Sequence, residues 1–400
     1  MENVMKVESA MKAVVVGAGF GGLAAAVGLH QRGWDVTVVE RAPELLPVGA
    51  GLVIAPNGLK ALDTLGAGNE VRKLAALNGD AALRRPGGGI VVRTAGDAIV
   101  RRFGDAMMPA TRAAVMDVLT AMLPRDALRL GVAATGLEPG LEPGGGSARP
   151  VLLTQSGVMP ADLIVAADGV NSALRKALFP EHPGPVFSGF TAWRMLVPAP
   201  PGDYLPGETW GDGQVFGVTP LADGRIYAYA ADHAAAGVTY PDEKAELLRR
   251  FGSWHHPIPE IIAAAGPGGI LHNDVYEMAD PLPAYHRGAV AVLGDAAHAM
   301  TPHLGQGANQ AMEDAVTLAA LAGPARNGVE LEKALARYTE LRAPRGADIV
   351  KRSHKLGALT QTRSRPKAAL RNGAMRLAGR VVPDLALRAM DPVVAWQPPL

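Results

Sequence analysis

The sequence predicts an α/β protein: a discontinuous parallel-sheet domain, a mixed or antiparallel sheet inserted into it, and a helical C-terminal segment. Three observations carry this. KAVVVGAGFGG (Lys12–Gly22) is an unbroken apolar run that enters a glycine turn. Unbroken valines suit a strand covered on both faces. Two later runs, ADLIVAADG (Ala161–Gly169) and GAVAVLGD (Gly288–Asp295), have the same strand-into-turn form. Between them, from Pro180 to about Leu271, prolines become frequent and aromatics gather at Trp193, Trp210, Phe216, Tyr227 and Tyr229.

Along the chain, GGLAAAVGLHQRG (Gly21–Gly33) reads as a small-residue helix stopped at Gly33, and DVTVVE (Asp35–Glu40) as the next strand, closing one βαβ unit. GAGLVIAPNGLKALDTLG (Gly49–Gly66) reads as a glycine-rich loop leading to a short helix. PATRAAVMDVLTAML (Pro109–Leu123) has helical period through Val115, Leu119 and Met122. GLEPGLEPGGGSARP (Gly136–Pro150) reads as a mobile hairpin tip because strand-like runs flank it closely. TAWRMLVP, GQVFGVTP and GRIYAYAA read as antiparallel strands of the inserted sheet. The expected division is 12–75, 98–176 and 274–341 for the parallel-sheet domain, 76–97 and 177–273 for the inserted sheet, and 342–400 for the helical segment.

The bulk numbers narrow the function. The 400 residues are 48% hydrophobic and 19% charged, the balance of a globular protein. A net charge of +1 gives nothing that attracts a nucleic acid. With no cysteine, disulfides, iron–sulfur clusters, thiolate metal sites and a cysteine nucleophile are excluded. No apolar run reaches the roughly 18 residues of a membrane span, and the N-terminus lacks an apolar signal-type stretch. A cytoplasmic monomer or homodimer is the expectation.

Gly17, Gly19 and Gly22 form G-x-G-x-x-G directly after a strand. The first permits the tight turn, the second lets backbone approach a pyrophosphate, and the third allows close helix–strand packing. The helix N-terminus offers free N–H groups to phosphates. Glu40, 18 residues after Gly22, ends the second strand and can accept hydrogen bonds from both hydroxyls of a ribose. A Rossmann-like dinucleotide site follows, although this motif alone does not separate FAD from NAD.

Two further segments do. ADLIVAADGVNSALR (Ala161–Arg175) resembles the DG motif of class A single-component FAD monooxygenases, the flavoprotein aromatic hydroxylases. GDAAHAMTPHLGQGANQAMEDA (Gly294–Ala315) resembles their GD motif. With the fingerprint they follow the family's order and spacing, as in its salicylate-hydroxylase and tetracycline-oxidising branches. GAGLVIAPN and TAWR also look like family features; the middle sheet and the tail match loosely. The resemblance implies tightly bound FAD, NADH or NADPH as transient reductant, and O2 activated at flavin carbon C4a. The implied substrate is an electron-rich aromatic or polyketide-like small molecule.

The resemblance also implies site residues. FAD contacts are expected at Gly17, Gly19, Gly22, Glu40, Arg41, Gly51, Leu52, Arg112, Asp168, Asp295, Gly305, Gly307 and Ala308. Asp295 would accept from the ribityl hydroxyls; otherwise it is a helix N-cap. Arg112 would reach the ribose or pyrophosphate; otherwise it is a surface charge. Asp168 would order its loop through Arg175 or simply form an internal salt bridge. Pro302 would flank the flavin face on which oxygen reacts, and the helix after Gly307 would aim its N-terminus at the ring. On the substrate side, Arg194 would anchor a carboxylate or phenolate, Tyr229 (sharing a strand face with Tyr227) would hydrogen-bond substrate, and His303 would border the cavity. For Arg194 and Tyr229, a surface ion pair and strand packing are the alternatives.

No metal is expected. His298 and His303 are five apart with Pro302 between them, and adjacent His255 and His256 do not converge in a loop. No acid lies between Asp348 and Asp384, a stretch with nine basic residues from Lys351 to Arg380. It reads as a solvated helical face, or as a dock for an anionic partner. An FAD-dependent epoxidase, a Baeyer–Villiger enzyme and a non-catalytic flavin-binding protein remain alternatives on the same scaffold. So does a flavin halogenase, which W-x-W would signal, but no W-x-W occurs.

Overall fold

The computed structural model describes residues 10–45, 51–74, 79–140, 149–381 and 385–399. The chain opens with the expected unit, β1 (Lys12–Val16), α1 (Phe20–His30) and β2 (Asp35–Glu40). Strand β3 (Gly51–Ile54) precedes helices α2 (Pro56–Thr64) and α3 (Gly68–Leu74). Strands β4 (Ala81–Arg84) and β5 (Ile90–Thr94) leave for the second sheet, and α4 (Gly96–Phe103) returns the chain. Next come β6 (Met108–Thr111), α5 (Arg112–Thr120) and β7 (Leu128–Leu130). A meander of β8 (Ala134–Glu138), β9 (Val151–Thr154) and β10 (Gly157–Pro160) leads to β11 (Leu163–Ala166) and α6 (Ala173–Leu178). β8 and β9 pair antiparallel, as a hairpin requires, but most of the GLEP tip lies outside the described residues.

The second sheet is built by β12 (Val186–Pro198), β13 (Gly207–Trp210), β14 (Val215–Pro220) and β15 (Arg225–His233). After α7 (Glu243–Phe251) and α8 (Ile258–Ala264), β16 (Ile270–Glu277) completes it. The chain then returns through β17 (His286–Arg287), β18 (Val290–Val292), α9 (Asp295–His298) and α10 (Gly307–Ala322). It ends in α11 (Gly328–Thr360), α12 (Arg365–Val381) and α13 (Leu385–Val394).

The first sheet has the order β17-β18-β11-β1-β2-β7, parallel except for the β17 edge. Its central strands are apolar through Ala13–Val16, Leu163–Ala166 and Val290–Val292 because helices cover both faces. Helix α1 is buried along almost its whole length between this sheet and α10. Small residues permit that contact: a Cβ on Gly28 would lie 2.7 Å from the Ala319 Cβ, and one on Gly21 would lie 2.5 Å from Leu293.

The second sheet has the order β16-β12-β15-β14-β13-β4-β5 and is mixed, since β13 pairs parallel with β4. Its two faces alternate by residue. Trp193, Met195, Val197, Phe216, Ile226 and Ala228 pack under α7 and α8. Arg194, Tyr227 and Tyr229 face the other way, toward the first domain. The expected boundary at 273 falls inside β16, and that at 342 falls inside α11. GLVI was expected as loop; it is β3, paired antiparallel with β6 from 54 residues downstream. The basic run is solvated only in part. Arg371 is buried, 5.2 Å over the Trp210 ring, and donates to the Leu359 and Thr360 carbonyls. Arg376 donates to the Ile90 carbonyl, so these two arginines hold α12 on the sheet.

Beneath α10 lies a buried ionic cluster. Arg342 bridges Glu313 (2.5 Å) and Asp314 (2.6 Å), Arg345 holds Glu313 at 2.6 Å, and His298 Nε2 meets Asp314 at 2.5 Å. Asn57 and Gln310 donate to the same Glu313 oxygen, and the Gly294 N–H donates to Asp314. Removing one partner from such a cluster strands a buried charge, at about 3–5 kcal/mol. Arg342→Met is therefore expected to lower unfolding free energy by about that amount in urea titration. Burial alone would raise the Asp314 pKa, but His298 and Arg342 hold it down, to about 2. The folded value lies below the unfolded one, so this contribution is complete above about pH 4 and is lost as pH falls toward 2. Asp314→Asn is expected to flatten that part of the stability–pH profile.

Candidate active site

The three glycines of the first turn do three different jobs. Gly17 has φ +103°, and a Cβ there would lie 2.3 Å from the Ala167 carbonyl oxygen. A Cβ on Gly22 would lie 1.9 Å from the Gly17 carbonyl oxygen. Both are needed for protein packing. A Cβ on Gly19 meets nothing within 4 Å, so its missing side chain leaves open space beside the N-terminus of α1. That is the shape of a cradle. Glu40 accepts from the Ala18 N–H (2.9 Å) and the Ala42 N–H (3.0 Å), bracing the turn and keeping lone pairs for a ligand. Arg41 is exposed beside it and does not line the cavity described next.

A cavity of about 510 Å³ runs from this cradle to the second sheet. One wall is the stretch after β18. Gly294, at φ +61°, is the N-cap of α9. Asp295 is therefore not the cap: its carboxylate faces the cavity and has no hydrogen-bond partner among the described residues. Pro302 and His303 form a 3-10 turn closed by Gly305 at φ +61°. Gly305, Gln306, Gly307 and Ala308 then present the N-terminus of α10 to the cavity, with its unpaired N–H groups and partial positive charge. Gln306 and Asn309 fasten this end to Asn57, Ala55 and Val53.

Arg112 is the first residue of α5, which Thr111 caps by accepting from the Ala114 N–H. Arg112 is an exposed side chain whose guanidinium lies 4.8 Å over the Phe20 ring and lines the cavity. Burial lowers its pKa, Asp295 opposes that, and Arg194 adds to it. Gly51 and Leu52 also line the cavity, and the room above Gly51 is taken by the Tyr227 ring.

Asp168 departs from expectation. It makes no ion pair with Arg175. Its oxygens accept from the Ser172 hydroxyl and the Leu174 N–H, and Ser172 in turn accepts from the Arg175 N–H. Arg175 instead donates to the carbonyls of Val170 and Ala296, tying the DG loop to the GD loop. The short side chains fold on their own loop, which leaves the long arginine free to cross between loops.

The opposite wall comes from the second sheet. Arg194 stands directly across from Tyr229, and Tyr227 and Tyr229 share a face with rings 5.7 Å apart. Arg194 also lies 3.5 Å from Asn273 Oδ1. Tyr229 donates its hydroxyl proton to Glu208, and Trp210 Nε1 donates to the other Glu208 oxygen at 2.6 Å. Burial raises the pKa of Glu208, and raises that of Tyr229 further. His303 lies edge-on to Phe190 at 5.1 Å, and burial lowers its pKa to about 4, so it is neutral at neutral pH. His298 does not reach the cavity; it is spent on Asp314.

Glu208 was missed by sequence reasoning. The available signal was a lone acid in the strand-like GETW, two residues from a tryptophan on the same face.

These features fit a flavin dinucleotide: an open glycine cradle, an unpartnered carboxylate and a helix N-terminus along one cavity. Bound there, FAD would be held by the first glycine turn, Arg112, Asp295 and the start of α10. The comparisons agree. The family model described as an FAD binding domain matches residues 10–353. The chain is 35% identical over 374 residues to the aurachin C monooxygenase/isomerase of Stigmatella aurantiaca, covering 92% of this chain and 95% of that one. It is 33% identical over 352 residues to the FAD-dependent urate hydroxylase of Klebsiella pneumoniae, covering 86% and 89%. The crystal structure of Klebsiella pneumoniae HpxO complexed with FAD and uric acid superimposes with a TM-score of 0.85 at 29% identity, covering 96% and 97%. A salicylate hydroxylase substrate complex shares the fold at TM-score 0.74. Cradle, cavity and relatives converge: the chain belongs to the FAD-binding-domain family and is an FAD-dependent monooxygenase of the flavoprotein aromatic hydroxylase group.

Proposed function

We propose that the protein inserts one oxygen atom into an electron-rich aromatic or polyketide-like small molecule, using O2 and transiently docked NADH or NADPH. The observation that carries this reading is the continuity of the cavity. A dinucleotide cradle at one end opens on a wall of arginine, tyrosines and a carboxylate at the other. FAD bound in the cradle supplies the redox and oxygen chemistry. The relatives' named activities, on aurachin C and urate, are of the same class.

The chain's own residues then have defined tasks. Asp295 accepts hydrogen bonds from the cofactor's hydroxyl chain. The N-terminus of α10 stabilises negative charge on the bound ring system. Arg112 sets a cation near the cofactor's polar linker, while Asp168 shapes its loop from behind. Pro302 covers one side of the cavity with no polar group. Arg194 binds an oxygen of the substrate, and His303, held neutral, borders the substrate without adding charge. The sequence has no second G-x-G-x-x-G after a strand, which favours a nicotinamide that docks and leaves. Among the described residues no helix is long and apolar enough to cross a membrane; a cytoplasmic monomer or homodimer is the working state.

Purified protein is expected to be yellow and to couple NAD(P)H oxidation to oxygen uptake when substrate is added. A colourless protein that fails to take up FAD would sink this reading. Gly19→Val is expected to lower flavin content at least tenfold while leaving apo-protein melting nearly unchanged, because only open space is filled. Gly22→Ala drives a methyl into backbone and is expected to cost about 1–3 kcal/mol or more of stability. Arg194→Ala is expected to raise the substrate KM by roughly tenfold or more, the worth of a charged hydrogen bond. Unchanged steady-state kinetics would remove Arg194 from the site.

A further inference from the structure

One row of residues crosses four strands of the second sheet. Arg194 on β12 pairs with Tyr229 on β15, Tyr229 with Gly217 on β14, and Gly217 with Glu208 on β13. Directly paired residues share a sheet face, and this face forms the cavity wall. Tyr229 and Glu208 are two strands apart, about 10 Å between their Cα atoms. The tyrosine closes that gap by lying across Gly217: a Cβ there would sit 2.1 Å from the Tyr229 Cζ. Gly217 is thus the vacancy that lets the Tyr229 hydroxyl reach Glu208.

Glu208 itself has no cationic partner among the described residues. It is surrounded by protein yet opens on the cavity, and its neutral donors, Tyr229 and Trp210, each engage one oxygen. Each donor takes one oxygen, so each oxygen keeps a lone pair. A carboxylate has about four lone-pair sites, so roughly two remain on a residue that lines the cavity. A carboxyl group with unused acceptors and no cationic partner on a cavity wall is a site for a hydrogen-bonding ligand.

We propose that Glu208 accepts a hydrogen bond from the substrate and, with Arg194 at the other end of the row, selects one substrate class. That class is a planar heteroaromatic carrying an acceptor oxygen on one edge and an N–H or O–H donor on another. The proposal rests on the cavity being the substrate site of the FAD enzyme. Aromatics that present a carboxylate or a bare lone pair to Glu208 are rejected. A site built to pair a donor discriminates strongly against an analogue lacking it, because its buried acceptor is then left unpaired.

Two rings of almost the same shape test this. 4(1H)-Quinolone has an N–H where chromone has a ring oxygen. Binding of each to the FAD-loaded protein is read from the change in the flavin absorption spectrum, in the wild type and in Glu208→Gln. Wild type is expected to bind the quinolone at least tenfold more tightly, and Glu208→Gln to compress the ratio below about threefold by weakening quinolone binding. The Gln variant keeps the shape and an acceptor oxygen for Trp210, so its holo-protein melting temperature is expected to stay near wild type; a purely structural Glu208 would give a lower one. Gly217→Ala, which displaces the Tyr229 ring, is expected to lower the ratio as well. Equal wild-type affinity for the two rings would overturn the proposal. So would a wild-type ratio in Glu208→Gln, a destabilised Gln variant, or failure of quinolone, 2-pyridone and uric acid all to bind. Flavin content and NAD(P)H oxidation, measured on the same samples, report separately on the enzyme class.

Discussion

The ion cluster under α10 is the constraint on which the rest of the site depends. Glu313 and Asp314 are adjacent on that helix and fully buried, and they are tolerable only because Arg342, Arg345 and His298 surround them. The partners come from three other helices, α11, α9 and α2, so satisfying the two carboxylates fixes three things at once. The two arginines lock α11 alongside α10. His298 and the Gly294 N–H fix the turn that carries Asp295. Asn57, sharing Glu313, fixes the start of α2 against Gln306 and thereby the start of α10. A hydrophobic interface of the same size would slide more easily, because it lacks directional bonds.

The cradle end is aligned by a different device. Helices α1 and α10 touch through glycine and alanine, and both helix starts open on the cavity. Close backbone contact leaves little freedom to tilt either one. Arg175 adds a strap between the DG and GD loops, which follow neighbouring strands of the parallel sheet. The glycine-cradle end of the cavity is held by main chain, and the opposite end is lined by side chains projecting from a sheet.

What was legible in the sequence was local. The roles of Gly17 and Gly22 depend on turn geometry within a few residues, and Asp295 stands out because it follows an apolar strand. The strands of the second sheet announced themselves by alternation, and Arg194 and Tyr229 with them. What was not legible depended on partners far along the chain. Glu208 matters because β13 pairs with β14 in one register and β14 with β15 in another, and alternation does not specify register between strands. The acids of GANQAMEDA were hidden inside a helix read by its small residues, and their arginines lie 28 and 32 residues away. β3 reads as loop until β6 supplies its hydrogen bonds. The basic run read as solvated because stacking of Arg371 on Trp210 needs the tertiary fold.

The period-two division of the second sheet has a consequence for how such a chain changes over time. The residues that hold the sheet to α7 and α8 alternate with those that face the cavity. A substitution at Arg194, Tyr229 or Glu208 changes the cavity wall and leaves Trp193, Met195 and Phe216 packed as before. Stability and chemical taste are thus written on opposite sides of one surface, and selection can revise the second without spoiling the first.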